Sequence, residues 1–279
     1  MIKVLLIFCI VHMHLFALDT IKIKAKQTNN IVRVKTLIPY NSITYSQAYK
    51  RTGDKNNARF ITQVTAEVNK KIVFHMLASS ALSTRPILMF TYLYPKTDDI
   101  IKITAKDNKG HILQHSQKIK TTINTKNSLI SQGSRNITNY KFTKPKAWTQ
   151  NTVEGAITEL YGKTDFIDSG IKLSAPKCQY RHQVPIYITS DLALTSLVIL
   201  QSSTSYPTTV AMITVFENQP IDYFLKVNII PNEPKDIEMI TIIGEDKEGK
   251  LYRTQQEVNV VAYTHYHCNE DGEIQYDFE

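Results

Sequence analysis

Glycine and proline are scarce, with 9 and 10 in 279 residues, so the chain is neither collagen-like nor low-complexity. Tryptophan occurs once, at Trp148, and cysteine three times, at Cys9, Cys178 and Cys268. Three cysteines that far apart give no Cys-x-x-Cys-His for covalent haem. There is also no His-Glu-x-x-His for a metalloprotease, no Gly-x-Ser-x-Gly nucleophile elbow and no glycine-rich phosphate loop. Catalysis by the chain itself is not expected. Nucleic-acid-binding motifs are absent, and no segment after the N-terminus has the roughly 20 apolar residues that a membrane-spanning helix needs.

What is present begins with Met1-Ile2-Lys3 ahead of an apolar stretch from Val4 to Ala17, interrupted only by His12 and His14. This reads as a secretory signal peptide over residues 1–17, which places the mature chain in the periplasm. Cys9 lies inside that stretch, so Cys178 and Cys268 are the two cysteines left after processing. In an oxidising compartment a disulfide between them is the ordinary structural expectation. Net charge is +8, from 33 Lys and Arg against 25 Asp and Glu. That excess could favour anionic ligands or acidic partners, but the basic residues are spread along most strands and read first as a solvated surface.

Short alternating or apolar runs rich in Val, Ile, Thr, Phe and Tyr follow one another: 31–38, 60–68, 72–77, 87–93, 100–105 and 112–119. Turn chemistry such as Asp107-Asn108-Lys109-Gly110 separates them, so the region 18–120 is expected to be an antiparallel β sandwich. From 121 to 148 the sequence collapses into Thr, Asn, Lys and Ser, the composition of a linker. Val153, Ile157 and Leu160 then recur at helical spacing, with Asn151 or Thr152 to cap the start and Gly162 to close the end. Strand signals resume at 171–174, 184–189, 196–201, 208–216, 221–229, 237–243, 251–254 and 257–262. The expected fold is all-β: two immunoglobulin-like antiparallel sandwiches, 18–120 and 149–262, joined by a linker. One short helix opens the second, and a cysteine-bearing tail occupies 263–279.

Two sets of residues carry a resemblance. In the first half they are Val34-Lys35-Thr36-Leu37-Ile38, Ala58-Arg59-Phe60-Ile61-Thr62-Gln63-Val64, Pro86 before Ile87-Leu88-Met89-Phe90, and Asp107-Asn108-Lys109-Gly110. These are similar, in order and spacing, to the Z subunit of the bacterial sulfur-oxidation (Sox) carrier complex. In the second half, Leu160-Tyr161-Gly162-Lys163, Ile171-Lys172-Leu173-Ser174-Ala175-Pro176, Val184-Pro185 and the run from Val258 to Ala262 leading to Cys268 resemble the Y subunit. The resemblance implies a SoxYZ-type carrier in one chain, fused in the order Z then Y. It would hold intermediates of thiosulfate oxidation covalently on the thiol of Cys268, as cargo rather than cofactor, and present them to periplasmic enzymes and c-type cytochromes. The Z-like half would dock on the Y-like half. Two departures stand out: Tyr40-Asn41-Ser42-Ile43 replaces a Pro-Met-Glu-Thr-Gly segment, and no glycine touches Cys268, whereas the family has Gly-Gly-Cys-Gly-Gly.

Cys268 sits in Tyr263-Thr264-His265-Tyr266-His267-Cys268-Asn269-Glu270-Asp271-Gly272. Three readings stay open: a carrier thiol whose thiolate is favoured by His265 and His267 when these are protonated, a disulfide with Cys178, and a metal site from His265, His267 and Cys268. No metal site is expected among them as the first choice. His75, His111 and His115 lie in or beside strands and read as hydrogen-bonded structural histidines. Trp148 is expected to pack against the domain rather than bind a ligand.

Overall fold

The computed structural model describes residues 20–93, 99–122, 144–203, 207–229, 235–261 and 266–276. The signal-peptide expectation over 1–17, most of the linker and His265 lie outside them. The strands are β1 (Lys22–Thr28), β2 (Ile31–Leu37), β3 (Ile61–Val68), β4 (Lys71–Ala78), β5 (Ile87–Leu93), β6 (Ile100–Asp107), β7 (Ile112–Lys118), β8 (Lys120–Thr122), β9 (Phe166–Ile167), β10 (Ile171–Ser174), β11 (Cys178–Tyr180), β12 (Val184–Ser190), β13 (Leu194–Gln201), β14 (Thr209–Thr214), β15 (Ile221–Val227), β16 (Lys235–Asp246), β17 (Leu251–Val261), β18 (Tyr266–Cys268) and β19 (Ile274–Tyr276). Two α-helices accompany them, α1 (Tyr45–Thr52) and α2 (Val153–Tyr161). The fold is an all-β sandwich.

Alternation builds the sheets. In β1, Ile23 and Ala25 point inward and Lys22, Lys24 and Lys26 outward, as the two-residue period of a strand requires. The turn between β3 and β4 is Asn69-Lys70, with φ of 51° and 64°, the left-handed pair of a two-residue hairpin. α2 is capped at its start by the Thr152 hydroxyl, which accepts from the Gly155 amide at 3.1 Å, and at its end by Gly162 at φ 68°. It lays Ala156, Ile157 and Leu160 on Val198, Leu200, Met212 and Ile243. That cover explains why β14 is buried along its whole length. α1 lies where the sequence reading placed no element. Its signal is a capping box: Thr44 accepts from the Gln47 amide while the Gln47 side chain accepts from the Thr44 amide. β1, β8, β9, β11 and the β18–β19 hairpin are also additions to the expected strands, β8 taking the first two residues of the expected linker, and the two runs 251–254 and 257–262 form the single strand β17.

Each sheet runs through both halves of the chain. One has the order β10-β12-β15-β5-β2-β1-β8, and the other β11-β17-β16-β13-β14-β4-β3-β6-β7, with β9 beside β17. The halves meet where β5 pairs with β15 and β4 pairs with β14, both antiparallel. On either side of this joint the order is the same. Three strands (β5-β2-β1 or β15-β12-β10) face four (β4-β3-β6-β7 or β14-β13-β16-β17). Equivalent strands therefore meet across a pseudo-two-fold axis, and one hydrophobic core extends through both halves. At its centre Phe74 stacks on Phe90 with centroids 4.3 Å apart and meets Tyr223 at 5.9 Å. The end of the expected linker also belongs to the second half. Pro145–Trp148 forms a 3-10 turn, and the Ala147 carbonyl accepts from the Thr209 hydroxyl at 2.8 Å.

His75 secures the joint. It is 2% exposed, its Nδ1 lies 3.0 Å from Thr214 Oγ1 across the joint, and its Nε2 lies 3.1 Å from Gln63 Nε2 on β3. Burial lowers its pKa from 6.5 to about 4. A depressed base makes the folded state resist protonation that the unfolded chain accepts below 6.5. Stability is therefore unaffected by this group above pH 6.5, falls between 6.5 and 4, and levels off below 4. The full loss is on the order of 3 kcal/mol. Urea unfolding at pH 7, 5.5 and 4.5 should show this decline in the wild type, and a flatter profile over the same window in His75→Gln.

Candidate functional site

Cys268 ends β18, the first strand of a small terminal hairpin that β19 completes. The connecting turn is held by its own side chain. Asn269 Oδ1 accepts from the Glu273 amide at 2.7 Å, the Asn269 amide donates to the Glu273 carbonyl at 3.0 Å, and the Gly272 amide donates to the Asn269 carbonyl at 3.1 Å. Gly272 adopts φ 83°, in the left-handed region where glycine is favoured. The sequence Asn269-Glu270-Asp271-Gly272 is a turn signal, and it is the cue by which this hairpin could have been found.

The hairpin is fastened to the edge of the second sheet. Cys268 is joined to Cys178 by a disulfide with a Cα–Cα distance of 5.7 Å. Cys178 is 7% exposed and begins β11, which runs parallel to β17 with Cys178 opposite Asn259. Asn259 works on both sides of this contact. Its amide donates to the Lys177 carbonyl at 2.8 Å, and its Nδ2 donates to the Gly272 carbonyl at 2.7 Å. Gly272 is buried against Lys177, and a Cβ built on it would collide with Lys177 Cβ. Lys177, Asn259 and Gly272 are thus parts of the site beyond the expected residues. In the chain-entropy view, a cross-link spanning 90 residues stabilises the fold by roughly 4–5 kcal/mol.

In this state the Cys268 sulfur is bonded and not a thiolate. Cys268 is partly exposed and Cys178 buried, so the two ends of the bridge sit in unequal surroundings. His267 precedes Cys268 on β18, and successive strand side chains point to opposite faces, so the two are turned to different sides of the hairpin. Among the described residues no group of three or more His, Cys, Asp or Glu is arranged to hold a metal ion.

The other expected candidates lie away from the disulfide. His111 Nδ1 is 2.8 Å from Asp107 Oδ2, in the turn after β6. Burial alone would raise the Asp107 carboxyl, but hydrogen bonds from Tyr40, His111 and the Lys109 and His111 amides outweigh it and hold the pKa at about 2. Tyr40, in the segment that departs from the Z-type pattern, donates to Asp107 at 2.6 Å and ties that segment to the turn. His115 lies on β7. Trp148 packs against the α2 cluster and, with Tyr45, Phe60, Ser79 and Ser80, also lines a cavity of about 370 Å³.

Replacing Gly272 with alanine should force the hairpin off Lys177 and strain the φ 83° backbone. The expected result is at least tenfold faster proteolysis within 262–279, with global stability changed by less than about 1 kcal/mol while the disulfide is intact. Cleavage kinetics followed by mass spectrometry check this. An unchanged rate would mean that the hairpin does not depend on this contact.

With this geometry in place, comparison with known proteins bears on the first half. Residues 21–118 match the model of the family described as "Sulphur oxidation protein SoxZ". A search of curated proteins gives no match. Among solved structures, the superoxide reductase (neelaredoxin) from Ignicoccus hospitalis T24K is 15% identical, with 37% of this chain and 80% of that one covered and a TM-score of 0.26. Murine CEACAM1b is 7% identical, with 86% and 100% covered and a TM-score of 0.23. These structural likenesses are too low to carry an argument. Over residues 21–118 the chain is similar to the SoxZ family, which links that half, at the family level, to sulfur oxidation.

Proposed function

We propose that the protein is a non-catalytic, periplasmic carrier of sulfur compounds in sulfur oxidation, with a Z-like half and a Y-like half in one chain. The observation that carries this reading is the SoxZ match over residues 21–118. The second half continues both sheets of that domain, the place a partner subunit would take. Cys268 is the carrier sulfur, and Cys178 is its resting partner. Catalysis belongs to the enzymes and c-type cytochromes to which the cargo is presented.

The disulfide supports a loading step that balances within the chain. A sulfur nucleophile, such as sulfite or the terminal sulfur of thiosulfate, attacks Cys268 Sγ. The Cys178–Cys268 bond breaks as a bond from Cys268 to the incoming sulfur forms, and Cys178 leaves as a thiolate. The cargo sulfur is oxidised and Cys178 reduced, so no outside electron acceptor is needed. Return attack by Cys178 on Cys268 expels the cargo and restores the disulfide.

A second reading is favoured by the clamp of Asn259, Gly272 and Lys177: an adaptor of the same system in which the disulfide is purely structural. Intact mass of the mature protein from sulfur-oxidising cells, with peptide mapping of Cys268, separates the two. The carrier predicts a reducible sulfur adduct on Cys268 and a free Cys178. A Cys178–Cys268 peptide as the sole species, unchanged after incubation with sulfite or thiosulfate, would make the protein an adaptor.

A further inference from the structure

Six of the 33 basic residues, which read in sequence as dispersed, are gathered by the fold on one face. The first-half strands of the first sheet, β8, β1, β2 and β5, hold Lys22, Lys24, Lys26, Arg33, Lys35 and Lys120 and not one acidic residue. All six cations are exposed. Register sets them against one another: Lys24 is opposite Lys35, and Lys26 lies between Arg33 on one side and Lys120 on the other. Like charges directly opposite across a sheet are destabilising, so this arrangement works against the fold that contains it. The sheet supplies one carboxylate nearby, Asp222 on β15, which pairs with Arg33 at 3.2 Å and accepts from the Thr91 hydroxyl at 2.7 Å. Lys24, Lys26 and Lys35 have no carboxylate partner among the described residues. A shallow groove of about 580 Å³ runs between these cations.

Next to the cations the same face turns apolar. Met89 follows Lys35 across the sheet, then come Phe224 and Tyr187, whose rings are 4.5 Å apart; Tyr187 is 46% exposed. Arginine, tyrosine and methionine beside a polar rim are the mixture that protein interfaces favour. We propose that this face docks an acidic protein partner, with carboxylates set against Lys24, Lys26 and Lys35 and an apolar edge over Met89 and Tyr187. A second copy of this chain does not fit, since at net charge +8 the copies repel. A uniformly anionic surface fits less well than a protein, because it would lay charge over Asp222 as well, whereas discrete carboxylates can leave that position open. The inference stands independently of the chemistry at Cys268.

The test uses the full chain and poly-L-glutamate as the probe, with binding followed by fluorescence anisotropy at low salt and contacts mapped by zero-length carbodiimide coupling. Lys24, Lys26 and Lys35 should couple ahead of the other lysines. The pair Lys24→Glu with Lys35→Glu should weaken binding at least tenfold, and Lys50→Glu with Lys55→Glu, an equal change in net charge away from this face, less than threefold. The neutral pair Lys24→Gln with Lys35→Gln runs alongside, so that a folding defect of the reversed pair does not decide the result. Raising the salt should abolish the difference. Equal losses in the two charge-reversed pairs would overturn the proposal, leaving only net charge. Tighter binding to phosphatidylglycerol vesicles, lost with the same lysines, would overturn it in favour of a membrane surface.

Discussion

Everything else in this molecule depends on the antiparallel joint between equivalent strands of the two halves. A sandwich of three strands on four leaves unpaired edges, and such edges invite aggregation unless they are covered. Here β4 and β5 of one half cover β14 and β15 of the other, and each satisfies the backbone groups of its counterpart. The pairing is reinforced outside the strands: the Asn228 amide donates to the Ala81 carbonyl, the Ser83 amide to the Lys226 carbonyl and the Ser79 amide to the Val210 carbonyl. Because both sheets cross the joint, separating the halves would expose four strand edges and the Phe74, Phe90 and Tyr223 cluster together. The rigidity comes from the shared sheets.

That rigidity sets the conditions for the terminal hairpin. β17 extends the second sheet, β11 adds to its edge in parallel, and the disulfide anchors β18 to that added strand. The cysteine pair therefore sits at the edge of the second sheet, with Cys178 buried and Cys268 partly exposed. Asn259 couples the layers, since one residue bonds to Lys177 on one side and to Gly272 on the other. If the disulfide opens, the Asn259–Gly272 bond and the glycine buried against Lys177 still oppose departure of the hairpin. On the carrier reading, the bulky tail is then a docked arm whose release is graded by local contacts. A glycine-flanked arm would have no such restraint.

Most strands were legible because alternation with β-branched residues is a strong local signal, and β5 and β10 fall on the expected residues without adjustment. The helix after the linker was legible through its period and its Thr152 and Gly162 caps. α1 was missed because Tyr45-Ser46-Gln47-Ala48-Tyr49 has no apolar stripe, so that only the Thr44 and Gln47 capping box betrays it. β1 was missed because three of its seven residues are lysine, which reads as solvated chain until Ile23 and Ala25 find a core. The joint has no local signature at all. The central strands β4 and β14 are mostly apolar, with His75 buried in β4 and Thr209 and Thr214 ending β14, a pattern that says both faces are buried but not against what. At the site, the two cysteines were legible as a pair or as separate actors. The clamp of Lys177, Asn259 and Gly272 was not, because it is assembled from three distant segments.

The two ends of the molecule differ in a way that follows from the same architecture. The cysteine pair lies at the β11 edge of the second sheet and the lysine ladder at the β8, β1 and β2 edge of the first, with the pseudo-two-fold joint between them. Seven strands at about 4.8 Å spacing put roughly 29 Å between the outermost strands of a sheet, well beyond a Debye length of about 8 Å at physiological salt. The cations therefore exert little direct influence on the ionisation of a thiol at the far edge. Their influence on any reaction there acts through encounter: a partner held at one end is oriented relative to the other by sheets that do not bend independently. On the proposed reading, recognition at one edge and sulfur chemistry at the other are held in register by the joint between them.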